Sequence, residues 1–135
     1  MKIDVGIYGS NGHQIQWQLK NNPRAELVAV AAFDATALPD DYNNKQNIRH
    51  YKTLEEMIHD PHVEIISLCS PVRANQANDA INCLKNGKHV YAEKPCALSE
   101  SDLDRIIRTA SETGKYFMRW QARHLNSRIC LQDRK

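Results

Sequence analysis

Asn86-Gly87-Lys88-His89-Val90-Tyr91-Ala92-Glu93-Lys94-Pro95 holds a helix end, a strand and the tip of that strand. Gly87 accepts the left-handed backbone that closes a helix. Val90-Tyr91-Ala92 is a short apolar run of the kind that lies in a sheet covered on both faces. Glu93-Lys94-Pro95 then sets a carboxylate, an ammonium and a rigid turn at the carboxyl end of the strand, where open α/β sheets bind their ligands. Thr113-Gly114-Lys115 marks the same helix-to-strand passage further on, which is shared αβ grammar and not an internal repeat.

Outward from this stretch, apolar runs alternate with amphipathic ones. Strands are expected over residues 2–8, 26–33, 64–69, 88–92 and 116–121, and helices over 13–20, 53–59, 73–86 and 101–113. Thr53-x-x-Glu56 and Ser99-x-x-Asp102 have the form of capping boxes, in which side chains satisfy the free N–H groups of a first helical turn. Asn22-Pro23 closes the first helix, because proline restricts the residue before it. Such alternation predicts an α/β fold, a doubly wound and mostly parallel sheet with right-handed crossovers. Residues 34–46 are polar and turn-rich, a surface loop; residues 126–135 begin a polar helix.

Bulk properties narrow the function classes. A chain of 135 residues suffices for one domain that buries roughly two-thirds of its unfolded surface. A net charge of +2 argues for neither nucleic acid nor an anionic membrane as partner. The longest apolar run is too short to span a bilayer, and Asp4 follows the N-terminus too closely for a signal peptide. A cytoplasmic location is therefore expected. Cys69, Cys83, Cys96 and Cys130 lack metal-site spacing; Cys69 and Cys83 are expected to be small buried hydrophobes.

The first βα turn, Gly6-Ile7-Tyr8-Gly9-Ser10-Asn11-Gly12-His13, offers the tight turn and bare backbone that a pyrophosphate needs above a helix N-terminus. In the G-x-G-x-x-G frame the three positions are Gly9, Asn11 and Gln14. Asn11 can visit the left-handed region, Gly12 opens the backbone one residue later, and Gln14 is a bulky departure. An ordinary glycine-rich turn is the alternative. Asp34 ends the second strand, 25 residues after Gly9; an acid there accepts hydrogen bonds from adenosine ribose and repels a 2′-phosphate, favouring NAD over NADP. Its alternative is a turn aspartate.

Ser70-Pro71 follows the third apolar run and is a candidate wall of the same crevice, or else an N-cap with proline in the first helical position. Lys94 has the chemistry to polarise a substrate oxygen or relay a proton beside a nicotinamide, with Glu93 orienting it or touching the cofactor; the alternative is a solvated pair before a turn proline. His59 and His62 flank the helix-breaking Asp60-Pro61 and fit surface histidines better than metal ligands. His13 and His124 approach the crevice, and Arg123 lies past the last strand within reach of cofactor or substrate. Arg119, in mid-strand, fits an edge-covering residue.

In order along the chain, these residues resemble the glucose-fructose oxidoreductase / inositol dehydrogenase / MocA family of NAD(P)-dependent oxidoreductases. The matching pieces are Val5-Gly6-Ile7-Tyr8-Gly9, Tyr51-Lys52-Thr53-Leu54-Glu55-Glu56-Met57, Asp60-Pro61-His62-Val63-Glu64-Ile65-Ile66, Ser70-Pro71 and, most specifically, Gly87 to Pro95. The resemblance implies a Rossmann NAD(P)-binding domain over residues 1–122. Residues 123–135 would begin the connection to a second, substrate-binding domain that this chain does not contain. It further implies a cofactor held by Gly9, Ser10, Asn11, Gly12, His13, Asp34, Ser70, Pro71, Glu93, Lys94 and Arg123. Lys94 would be the catalytic residue in hydride transfer at a sugar or polyol carbon, with no metal. Asn75 and Gln76 stand about where the family often has histidine.

Two readings of different class follow. One is the NAD-binding domain of such an oxidoreductase, with little activity alone; the other is a non-catalytic Rossmann module that binds a nucleotide or a partner protein. A truncated product without independent role is the third possibility. Loss of a second domain would expose apolar surface, so self-association is expected.

Overall fold

The structure is a computed structural model and describes residues 1–10, 12 and 15–119. Its elements run β1 (Ile3–Tyr8), α1 (Gln16–Leu19), β2 (Ala25–Ala31), β3 (Arg49–Tyr51), α2 (Leu54–Ile58), β4 (Ile65–Leu68), α3 (Gln76–Lys85), β5 (His89–Ala92), α4 (Glu100–Thr113) and β6 (Phe117–Arg119). Short 3-10 turns occupy Ala35–Ala37, Lys45–Asn47 and Arg73–Asn75. The six strands form one sheet in the order β3-β2-β1-β4-β5-β6, and every pairing is parallel. The expected doubly wound α/β fold is what the chain adopts. After β3 the chain crosses the sheet to β4, so the order reverses between β1 and β4, and a crevice opens at their carboxyl ends.

Two cores sandwich the sheet. On one face α2, α3 and α4 cover Ala29, Ala31, Ile66, Leu68, Val90, Ala92 and Phe117. On the other, Val5, Ile7, Leu27 and Val30 pack with Leu19 of α1 and with Leu38, Tyr42 and Ile48. Each fully buried large aliphatic, Ile66 or Leu84 for example, contributes about 1.5–3 kcal/mol through burial. Cys69 and Cys83 are buried as expected, and burial pushes the Cys83 thiol pKa upward.

Local chemistry set most boundaries. The Thr53 box closes in both directions: Thr53 Oγ1 accepts from Glu56 N at 3.2 Å, and Glu56 Oε2 accepts from Thr53 N at 3.3 Å. Ser99 makes only half of one. It accepts from Asp102 N at 3.1 Å, while the Asp102 carboxylate turns to Arg105 at 3.0 Å. Gly87 and Gly114 end their helices with φ of 82° and 68°.

Three expectations need correction. The first helix is one turn, Gln16–Leu19, not an element reaching Lys20 and the proline; Asn22 Oδ1 instead accepts from Arg24 N and Ala25 N. The segment 34–46 is more than a surface loop, since Leu38 and Tyr42 are buried and the Tyr42 hydroxyl donates to Gln16 O at 2.7 Å. β3 is an element that the sequence does not announce, because Arg49-His50-Tyr51 has no apolar run.

Beyond β3, the turn after α2 is fixed by polar contacts. Asp60 Oδ2 accepts from Arg49 Nε at 2.6 Å and from the Tyr51 hydroxyl at 2.9 Å, and Oδ1 accepts from His62 N. Lys88 Nζ donates to the carbonyls of Asp60 and Val63, both at 2.7 Å. His59 and His62 are exposed. His89 opens β5, accepts from Tyr116 N at 2.9 Å and stacks on the Tyr116 ring.

Candidate cofactor site

The crevice is built from the loops after β1, β4 and β5. Gly9 N donates to Ala31 O at 2.9 Å, which ties the first turn to the end of β2. Its φ is 77°, and a Cβ there would lie 2.0 Å from Cys69 O and 3.2 Å from Pro71 Cδ. Only glycine lets the first turn press this closely on the loop after β4. Ser10 and Gly12 are exposed beyond it. A Cβ on Gly12 would fall 2.7 Å from Glu93 Cγ and 2.9 Å from Glu93 Oε2, so the buried Glu93 side chain lies directly against the turn.

At the other lip, Glu93 N donates to Leu68 O at 2.9 Å and continues the sheet by one residue. Glu93 Oε1 accepts from Lys94 N at 3.0 Å, folding the carboxylate back under its own loop. Lys94 and Pro95 are exposed, and the peptide between them is cis.

Ser70 corrects one sequence reading. It does not cap a helix: it is fully buried, its hydroxyl donates to Asp79 Oδ2 at 2.7 Å, and its N–H donates to Gln76 Oε1 at 3.1 Å. α3 starts six residues later, behind the 3-10 turn. Burial raises the Asp79 carboxyl pKa against the lowering effect of the Ser70 hydrogen bond. Tyr8, at the end of β1, is raised by its own burial and by the Asp79 charge.

Asp34 lies three residues past β2 (Ala31) instead of ending it. Ala32, at φ 48°, breaks the strand first. Asp34 is exposed, and Oδ1 accepts from the Thr36 hydroxyl at 2.6 Å and from Thr36 N at 2.9 Å. Those bonds, the side-chain one foremost, hold its pKa below the usual carboxylate value. The two bonds preorient the carboxylate through Oδ1.

Of the residues singled out in the sequence, the structure packs the turn of Gly9 and Gly12 against the loops that hold Ser70 and Pro71 on one side and Glu93 and Lys94 on the other, with Ser10 on that turn and Asp34 three residues past β2. Asn11, His13 and Arg123 lie outside the described residues. Gln76, only 1% exposed, is a site residue that the sequence does not mark. It bonds to both loops, a role that a polar residue at a helix start does not announce. The glycine turn fits a dinucleotide's phosphates, because the close approaches at Gly9 and Gly12 leave bare backbone at the crevice. α1 is a single turn, so the dipole of a long helix, expected from the motif, is missing from the arrangement.

The family model described as "Oxidoreductase family, NAD-binding Rossmann fold" (GFO_IDH_MocA) matches residues 3–119. Myo-inositol 2-dehydrogenase of Thermotoga maritima is 40% identical over 107 residues, covering 79% of this chain and 32% of its own length. The 4-carboxy-2-hydroxymuconate-6-semialdehyde dehydrogenase of Sphingobium sp. is 30% identical over 127 residues, covering 93% of this chain and 40% of its own. Among solved structures, a 3-ketoreductase from Actinomadura kijaniata in complex with TDP-benzene and NADP superposes with a TM-score of 0.71 at 23% identity. It covers 88% of this chain and 38% of its own. An NAD-binding protein from Listeria innocua superposes with a TM-score of 0.70 at 24% identity, covering 88% of this chain and 35% of its own. This chain spans at most 40% of the length of these relatives. The chain belongs to the glucose-fructose oxidoreductase / inositol dehydrogenase / MocA family and forms its NAD-binding Rossmann domain.

Proposed function

We propose that this chain is the cofactor-binding part of an oxidoreductase that moves a hydride between NAD and a hydroxyl-bearing carbon of a sugar- or polyol-like substrate. One observation carries the reading: Glu93 is wedged against Gly12, so the loop bearing Lys94 abuts the glycine turn. The polyol named for the Thermotoga relative supports the substrate class. The Asp34 carboxylate supports NAD over NADP, because it repels a 2′-phosphate and accepts from ribose hydroxyls.

Each residue then has a defined task. The backbone of Gly9, Ser10 and Gly12 lies along the phosphates and Pro71 forms the facing wall, while the fully buried Ser70 fixes that loop through Asp79 and Gln76; Asn11 and His13 join the turn by their place in the sequence. When bound, the nicotinamide supplies the hydride acceptor or donor. Lys94 points its ammonium at the substrate oxygen, stabilising charge there as the carbon–oxygen bond order changes. Glu93 fixes the loop from below, and Arg123, which follows β6 in the sequence, would add a positive charge.

The single-turn α1 favours a second reading, a Rossmann module that holds nucleotide weakly and turns over no substrate. Calorimetric titration of the chain with NADH and NADPH tests both. Saturable NADH binding that exceeds NADPH binding is expected; no binding by the folded chain would overturn the leading reading in favour of the second.

A further inference from the structure

Gln76 uses its whole hydrogen-bonding capacity at the crevice. A side-chain amide has two acceptor lone pairs and two N–H groups. Oε1 accepts from Ser70 N at 3.1 Å and from Arg73 Nη1 at 2.6 Å. Nε2 donates to the Glu93 carbonyl and, at 3.3 Å, to the Pro95 carbonyl. Two donors on one side and two carbonyls on the other permit only one orientation of the amide. The two carbonyls flank Lys94 in the chain. One buried side chain on the first turn of α3 therefore holds the exposed Lys94 from both sides and registers it against the Ser70 loop.

We propose that Gln76 is a positioning residue for Lys94, acting through the carbonyls of Glu93 and Pro95. This rests on the reading that Lys94 lies beside the nicotinamide. No shorter amide reaches both loops from the same backbone. A carboxylate of the same shape keeps the acceptors for Ser70 and Arg73 but sets an oxygen against two carbonyls. Gln76→Glu therefore frees the Lys94 loop while leaving the rest of the network in place, and an ion pair with Arg73 supports the new carboxylate.

The experiment uses the chain labelled with carbon-13 at the lysine ε-carbons, the Lys94 resonance being assigned with Lys94→Arg, and titrates it with NAD+. The oxidised nicotinamide is cationic, so an ammonium held beside it changes its shift on binding. In the wild-type chain Lys94 is expected to move while lysines remote from the crevice do not. In Gln76→Glu, read at saturating NAD+, the Lys94 response is expected to collapse towards zero. A merely structural role for Gln76 would disturb many resonances together and would not single out Lys94. An undiminished Lys94 response in Gln76→Glu overturns the proposal. A wild-type Lys94 that ignores bound NAD+ overturns the reading beneath it, and the two failures are distinct. Should Gln76→Glu fail to fold, Gln76→Asn, whose amide is one methylene short, is put to the same test with the same expected loss.

Discussion

Glu93 lies across Gly12 so closely that a methyl group on Gly12 would come within 2.7 Å of Glu93 Cγ. Because Glu93 is buried and its carboxylate is held by the Lys94 N–H, it has little room to retreat. Gly12→Ala is expected to destabilise the chain by about 1–3 kcal/mol, the range for overpacking a close contact, and to weaken NADH binding by displacing the turn. Gly12→Ala with Glu93→Ala should recover much of the stability. Urea titration of the single and double variants checks the coupling; additive losses would separate the two residues.

Asp34 is preoriented by Thr36 and stays ionised across the neutral range. Replacing it with alanine removes an acceptor for ribose hydroxyls and the charge that disfavours a 2′-phosphate. Asp34→Ala is expected to weaken NADH by roughly tenfold, the worth of a charge-assisted hydrogen bond, and to strengthen NADPH. Asp34→Arg should carry the preference fully to NADPH. Competitive calorimetry with both cofactors gives the ratio; an unchanged ratio in both variants would remove Asp34 from the site.

Lys94 is expected to separate binding from chemistry. Lys94→Ala should leave NADH affinity within about threefold of wild type, as for an exposed substitution away from the phosphates. In a chimera with the second domain of a relative, the same change should lower kcat by about 10²–10⁴-fold, as for the loss of a general acid–base group. Single-turnover hydride transfer followed at the nicotinamide absorbance reads it directly. Full activity in the Lys94→Ala chimera would assign the chemistry elsewhere.

Much of this arrangement could be read from the chain alone. Val5-Gly6-Ile7, Leu27 to Ala31, Ile65 to Leu68 and Val90 to Ala92 announce strands as short, mainly apolar runs in which Ser67 is one polar interruption, and the parallel sheet follows from their alternation with helices. Thr53 and Glu56 show the start of α2 because their contact is local, three residues apart. Gln76 could not be read in the same way. Its partners are Ser70, Arg73, Glu93 and Pro95, and the last two reach it only because β4 and β5 pair in register. Arg49-His50-Tyr51 hid β3 for a related reason: two of its side chains serve Asp60, so its composition reports that network and not a strand.

That network gives the chain an acid sensitivity of known sign. Burial raises the Asp60 carboxyl pKa, but the hydrogen bonds from Arg49, His62 N and Tyr51 outweigh it and leave the group below its ordinary value of 3.8. A carboxyl with a folded-state pKa below its unfolded one stabilises the fold above the unfolded value and loses that contribution as pH falls through the folded one. The contribution of Asp60 should therefore be flat through neutrality and decline below about pH 4. Asp60→Ala removes the acceptor from a side chain that is 1% exposed and leaves Arg49 without its carboxylate. A loss of about 3 kcal/mol is expected at neutral pH, as for breaking a buried pair. Part of the Arg49 charge regains solvent, its side chain being 39% exposed, which places the loss at the lower end of that range. Urea unfolding of wild type and Asp60→Ala at about pH 7 and about pH 3 measures both effects. The gap between the two proteins should narrow in acid, because protonation removes from the wild type the charge that the substitution has already removed. A gap that stays constant with pH would mean that Asp60 acts through packing alone.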